Sequence, residues 1–432
     1  MKGKRVLILM GTVALAAAFI LLSCAPAPVS PTAPPVSPTA PPTEVEPIKI
    51  GVPVPLTGAT PAIGEDQRNG ILVWEAMHPE GILGRPIEFI FRDTQLKADV
   101  AVAKFKEFVE VEKVDFVVGS VSSSVTLALL PFAAQYKTLY FSCGAKSDQS
   151  TGVDFPKSEG YYFRLGSSNT VGAARAQAMQ CKMVWPDAKS ILHIGPSYSW
   201  GYDMWERQKE WYQENWPELE LMEPVWHPMG ERDFTPYITK IIGLDPDIVT
   251  TSTWGDDEAV FVRQAVPYGF FEKVNWCPVT YNVPELITVG ETGPEGIWGA
   301  PCTYWFQSPD TAEKREIIAV WTEDMGFAPP GWCGQETYAT MECLKAVCAE
   351  IGTIETEAVK EALEGFKFYN PMCGREVEIR AIDHQAMNPR FIGQISYSPE
   401  FGYTGYWDKT KWQWFEPEGL YYTDEELQAM WK

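Results

Sequence analysis

Positive charge is in short supply in this 432-residue chain: 35 Lys and Arg stand against 57 Asp and Glu, a formal net charge of −22. The deficit excludes a nucleic-acid partner, because phosphate binding needs clustered basic side chains. Histidine is scarcer still. The four present, His78, His193, His227 and His384, are dispersed, and none stands at helical or knuckle spacing from another ligand, which argues against a metal site. Catalytic signatures are missing too: there is no Gly-x-Ser-x-Gly, no His-Glu-x-x-His and no Gly-x-x-x-x-Gly-Lys-Ser/Thr, and Gly144-Ala145-Lys146-Ser147 lacks the glycine that starts a phosphate loop. Neither an enzymatic reaction nor a cofactor is expected. Apolar surface, by contrast, is plentiful at 45% hydrophobic and 13% aromatic residues, so the bulk of the chain folds into a core. The length suggests two to three domains of about 150 residues each.

Long apolar runs are confined to the start. Lys2, Lys4 and Arg5 precede an uncharged run from Val6 to Leu22, 17 residues, which ends at Leu21-Leu22-Ser23-Cys24. This is the layout of a secretion signal and is at the short limit for spanning a bilayer. A Cys after a small residue resembles the bacterial lipobox, so residues 1–24 are expected to be a lipoprotein signal and Cys24 the lipidated residue. Residues 25–47 form a Pro-rich tether in which Val29-Ser30-Pro31-Thr32-Ala33-Pro34-Pro35 repeats as residues 36–42. In polyproline II its 23 residues reach up to roughly 70 Å. Loss of the signal removes three of the 35 basic residues and no acid, leaving 32 against 57, a net charge of −25. Such a chain is kept soluble, and the lipid is its link to an extracytoplasmic membrane surface. Eight cysteines follow Cys24, which permits up to four disulfides among 105 connectivities.

From Ile48 onward, short β-rich runs alternate with amphipathic stretches, the pattern of parallel α/β folds. Strands are predicted over 48–54, 87–91, 115–118 and 138–141, with helices over 66–77, 98–111 and 124–135. The alternation restarts after Arg164. Helices over 170–184, 202–216, 235–242 and 258–268 alternate with strands over 190–194, 219–225 and 247–251, and Thr235-Pro236 reads as a cap with proline at the first helical position. Helices over 311–325, 335–351 and 357–364 precede a hairpin-rich tail whose Tyr397, Tyr403, Tyr406, Trp407, Trp412, Trp414 and Phe415 read as core. Two α/β units in tandem imply two lobes with a ligand cleft outside the carboxyl ends of the strands.

Ile48-Lys49-Ile50-Gly51, Pro55-Leu56-Thr57-Gly58, Val118-Gly119-Ser120-Val121-Ser122-Ser123-Ser124, Tyr198-Ser199-Trp200-Gly201, Gly230-Glu231-Arg232-Asp233-Phe234-Thr235, Leu244-Asp245-Pro246-Asp247-Ile248-Val249 and Ile382-Asp383-His384-Gln385 occur in that order. Each motif alone is weak. The ordered set resembles the leucine/isoleucine/valine-binding protein family across nearly all of 48–398. The resemblance implies a two-lobed type I periplasmic-binding fold, a small solute in the interlobe cleft, and ABC permease subunits as partners. The same fold also serves amide-receptor-like ligand sensors. Lobe 1 is expected at 48–165 plus 301–389 and lobe 2 at 166–300 plus 390–432, with hinges near Gly166, Ala300 and Arg390.

Carried onto this chain, the resemblance places the carboxylate-binding serine on Ser123, itself or Ser124 a helix cap, and a backbone contact on Gly144. Lys146, or Ser147 one residue on, stands where relatives carry a hydroxyl, and implies a cation aimed at an anion. Cleft aromatics fall on Trp200 and Trp254, with Tyr281 as a further cover, and Ile63 replaces a commonly aromatic residue. The acid that pairs with an amino-acid ammonium should fall near Cys277-Pro278-Val279-Thr280-Tyr281, where none occurs; Asp256 or Asp257 are the available substitutes. A carboxylate or amide with a hydrophobic or aromatic body is therefore expected in preference to a branched-chain amino acid.

Overall fold

The computed structural model describes residues 46–166, 168–300, 311–399 and 402–432. The expected signal, Cys24, nearly all of the tether, and Cys302 lie outside the described residues.

The first α/β unit comprises β1 (Ile48–Val54), α1 (Pro61–Met77), β2 (Ile87–Asp93), α2 (Ala98–Glu107), β3 (Phe116–Val118), α3 (Ser123–Tyr136), β4 (Leu139–Ser142) and β5 (Tyr162–Arg164). Its strands pair in the order β2-β1-β3-β4-β5, every pair parallel. Because β1 lies inside the sheet, six of its seven residues are buried, Lys49 being the exception. Helix α1 starts five residues before the expected position, with Pro61 at its first turn, where the ring's fixed φ suits a helix and the missing N–H costs no bond.

The second unit comprises α4 (Thr170–Val184), β6 (Ser190–Pro196), α5 (Ser199–Asn215), β7 (Glu220–Leu221), β8 (Val225–His227), α6 (Thr235–Leu244), β9 (Ile248–Thr251), α7 (Asp256–Ala265), β10 (Asn275–Pro278), α8 (Val283–Val289) and β11 (Trp298–Gly299). The parallel order is β10-β9-β6-β7, and β8 also pairs with β6, so the single strand expected over 219–225 is two short ones. The rest of the chain serves both units. Elements α9 (Ala312–Ala319), α10 (Trp332–Ile351), α11 (Thr356–Leu363), β12 (Lys367–Asn370) and β13 (Arg375–Glu378) are followed by β14 (Arg390–Gln394), β15 (Ser396–Ser398), β16 (Tyr403–Gly405), β17 (Gln413–Phe415) and α12 (Asp424–Met430). Residues of α10, α11 and the β12-β13 hairpin complete the first core, and β14 with the following aromatics completes the second.

Several local expectations are corrected. Thr235 is the first residue of α6, not its cap; the cap position is Phe234, and Asp233 Oδ1 accepts from Thr235 N at 3.0 Å in the turn that leads in. Neither Ser123 nor Ser124 caps α3, whose cap position is Ser122; Ser123 Oγ instead accepts from Ser147 N at 3.1 Å. In place of a disulfide framework, Cys143, Cys181, Cys277, Cys333, Cys343, Cys348 and Cys373 are all free thiols buried as small core residues. Of the tail aromatics, Tyr403 and Tyr406 are core, while Tyr397 is exposed.

Candidate functional site

Between the two cores lies a third apolar cluster that draws Ile63, Val121, Trp332 and Cys333 from the first unit and Trp200, Trp254 and Val279 from the second. Around it the residues just beyond strands β3, β4, β6, β9 and β10 converge, together with the start of α10, and leave a cavity of only about 20 Å³ between them. That is room for about one water, far below the usual range for small-molecule sites, about 300–1,000 Å³, so the walls must part to admit a solute.

One wall carries the polar groups. Ser123, at the start of α3, and Gly144 both line the space. A Cβ on Gly144 would sit 3.0 Å from the Trp332 ring and 3.2 Å from Cys333 Sγ, so a larger residue there would have to push those side chains aside by a few tenths of an ångström. Lys146 also lines the space, but its charge is engaged: Nζ lies 2.7 Å from Glu336 Oε1, with both side chains almost fully buried, and 4.9 Å from the centre of the Trp332 ring. Glu336, buried and partly offset by the lysine, has its carboxyl pushed up to about 7. The loop bearing Lys146 is tied to the second unit. Thr170 Oγ1 donates to Lys146 O at 2.5 Å, Ser147 Oγ to Asp203 Oδ2 at 3.1 Å, and Val171 N to Asp148 Oδ1 at 2.6 Å.

The other wall is aromatic. Trp200, Trp254 and Tyr198 line it, facing Trp332. Their orientations are fixed by hydrogen bonds: Trp200 Nε1 donates to Ser252 O at 2.7 Å and Trp254 Nε1 to Tyr198 Oη at 3.0 Å. Trp254 meets Trp332 edge to face at 6.5 Å. The rings thus form an apolar wall whose orientation is fixed.

Five of the seven expected cleft residues, Ser123, Gly144, Lys146, Trp200 and Trp254, come together in this one space. Ile63 lies in the apolar cluster beneath it, and Tyr281 does not line it: its ring packs in the second core 5.3 Å from Trp276. Asp256 and Asp257 occupy the first turn of α7, where Asp257 Oδ2 accepts from Gly230 N at 2.8 Å. Among the described residues, no carboxylate lines the space. Acids do stand one layer behind. Glu258 Oε2 accepts from the lining Thr280 at 3.1 Å, and Glu285 accepts from Gly255 N at 2.9 Å, its carboxyl pushed up to about 8 chiefly by burial. Sequence reasoning missed Val121, Tyr198, Thr280 and Trp332 as lining residues, and Glu336 behind Lys146. Tyr198 and Val121 sat inside quoted motifs, and Trp332 follows Pro329-Pro330-Gly331, a helix-start signal; nothing local marked Glu336.

A family model described as periplasmic binding protein matches residues 47–400. A Leu/Ile/Val-binding protein homolog 4 from Brucella melitensis is 24% identical over 376 residues, 81% of this chain and 84% of the relative. Two solved structures share the fold. A solute-binding protein of an ABC transporter from Rhodopseudomonas palustris HaA2, in complex with p-hydroxybenzoic acid, superimposes with a TM-score of 0.76 at 20% identity, covering 88% of this chain and all of that one. An amino acid ABC transporter substrate-binding protein from Pseudomonas fluorescens Pf-5 gives 0.75 at 22% identity, covering 87% and 96%.

Proposed function

This chain belongs to the periplasmic binding protein family, and on that premise we propose that it is the extracytoplasmic receptor of an ABC importer whose solute is a small aromatic or hydrophobic carboxylate or amide. The observation that carries the ligand class is the lining itself: four aromatic side chains, Ser123, Lys146 and Thr280 as polar groups, and, among the described residues, no carboxylate. Trp200, Trp254, Trp332 and Tyr198 cover the body of the solute, while Ser123, the backbone of Gly144 and the ammonium of Lys146 hold its polar head. An amino-acid ammonium finds no acceptor of opposite charge on this lining. Its burial costs several kcal/mol, which cancels the ~1.5–3 kcal/mol from burying a leucine-sized side chain. The bound p-hydroxybenzoic acid in the Rhodopseudomonas structure supports the same class of solute.

A receptor of this kind binds and releases its solute by hinge motion and needs no catalytic group. The lobes are 48–165 plus 301–389 and 166–300 plus 390–432, anchored through Cys24 and the 25–47 tether. Arg390 supports the hinge assignment, since its guanidinium donates to Ser168 Oγ at 2.9 Å and to Ala300 O at 2.8 Å, lacing together the three expected crossings. A thermal-shift series tests the ligand class. At 100 times its Kd, p-hydroxybenzoate stabilises the protein by ~2.7 kcal/mol, and leucine at the same concentration leaves it unchanged; stabilisation by leucine alone overturns the reading.

A further inference from the structure

The ion pair behind the polar wall raises a question of charge. Glu336, on the second turn of α10, is buried, and its Oε1 accepts from Lys146 Nζ at 2.7 Å. Its Oε2 is also buried and has no hydrogen-bond partner among the described residues. Lys146 is the cation within ion-pair distance of it. Two other cations face it from farther away and lower its proton affinity: Arg164 from β5 and Arg390 from β14. Both are held elsewhere. Arg164 donates to Gln385 Oε1 at 3.0 Å and Ser147 O at 2.7 Å, and Arg390 to Ser168 and Ala300. The remaining titratable neighbours are the thiols of Cys143, just after β4, and Cys333, on α10; burial raises both, Cys143 to about 12, so they remain neutral near pH 7.

A solute carboxylate seated against Lys146 makes two carboxylates share one buried ammonium. Like charges in that position do not both stay ionised; one of the pair takes a proton. The solute carboxyl, ordinarily ionised well below pH 7 and placed against Ser123 and the ammonium, keeps its charge. Glu336 is already poised at about 7 and has a free oxygen on which to carry the hydrogen.

We propose that Glu336 makes recognition of anionic solutes proton-linked: a carboxylate enters the cleft together with one proton from solvent, which Glu336 holds on Oε2 while Oε1 keeps Lys146 in place, whereas a neutral amide enters without one. Glu336 is thus a specificity-determining residue that touches the solute only through Lys146, and pH sets the preference between acid and amide. The inference rests on the reading of the cleft as a carboxylate or amide site.

The test is isothermal titration calorimetry of the full chain with p-hydroxybenzoate and with p-hydroxybenzamide at pH 8, in two buffers of different ionisation enthalpy. The acid is expected to take up about one proton per solute bound and the amide none, and Glu336→Gln is expected to abolish the uptake. Should Glu336→Gln fail to fold, the native protein alone decides: above pH 7 the affinity for the acid falls by up to tenfold per pH unit, while that for the amide stays flat. Binding of the acid without proton uptake, or the same uptake in Glu336→Gln, overturns the proposal and leaves the ligand class standing. Failure of both compounds to bind at pH 6 and at pH 8 overturns the ligand class, and the proposal with it.

Discussion

Replacing Gly70 by alanine is a demanding test of how the cleft is held, because two effects of known size oppose each other. Gly70 lies inside α1, where alanine is intrinsically favoured by about 0.8–1.0 kcal/mol. Against this, a Cβ at Gly70 would stand 2.3 Å from the carbonyl oxygen of Gly334 and 3.0 Å from its carbonyl carbon, both backbone atoms of α10. Neither can rotate away, so the helices must part by roughly an ångström, and overpacking of this kind costs about 1–3 kcal/mol. The parting also strains Asp66, one turn earlier in α1, whose oxygens accept from Gly331 N at 2.8 Å and Gly334 N at 2.7 Å. Trp332 lies between those two donors, so the displacement reaches the cleft. We expect Gly70→Ala to be less stable than the native protein and to bind its solute more weakly. The same substitution at Gly243, inside α6 with nothing within 4 Å of the added carbon, should raise stability by about 0.5–1 kcal/mol. Urea unfolding of both variants reads the difference directly. If Gly70→Ala proves as stable as Gly243→Ala, the argument that backbone contact between α1 and α10 sets the cleft is refuted.

Trp254→Ala should weaken p-hydroxybenzoate by about 2 kcal/mol, roughly 30-fold, as for a buried aromatic anchor; calorimetry showing less than a threefold loss removes Trp254 from the site. Tyr198→Phe deletes only the acceptor of the Trp254 indole N–H and should cost the solute about 1 kcal/mol. The carboxyl of Glu285, held at about 8 in the folded chain, lies above its unfolded value of about 4.3. The folded state therefore binds the extra proton, and this contribution is complete at low pH and is lost as pH rises from about 4 to 8. Denaturant midpoints of native and Glu285→Gln proteins should diverge across that window, the variant gaining relative stability toward pH 8. Cys24→Ser should leave the chain unlipidated, which intact mass and loss from the membrane fraction will show.

The architecture was legible because hydrophobic periodicity is a local property. Helix α4 runs from Thr170 to Val184, as expected to the residue, and β1 likewise spans 48–54. The elements not foreseen are short. β5 has three residues, β10 four, and α8 and α12 seven each, too few for a period to emerge from the surrounding sequence. The state of the thiols was left open for a related reason: an even cysteine count says only what pairing is possible, and the seven described after Cys24 are free, buried thiols. The cleft divides along the same line. Ser123, Gly144, Trp200 and Trp254 stand next to strand ends, where motif order alone brings them to the carboxyl edge of a sheet. Glu336 and Trp332 arrive from a helix about 190 residues beyond Lys146 in sequence. Their relation to the cleft depends on how closely α10 lies against α1, and that distance is set by two glycines facing each other, Gly70 and Gly334. A lysine read from its neighbours looks like a free cation. Only the packing of that helix shows that its charge is already shared, so the ligand chemistry of this receptor is written as much in its glycines as in its tryptophans.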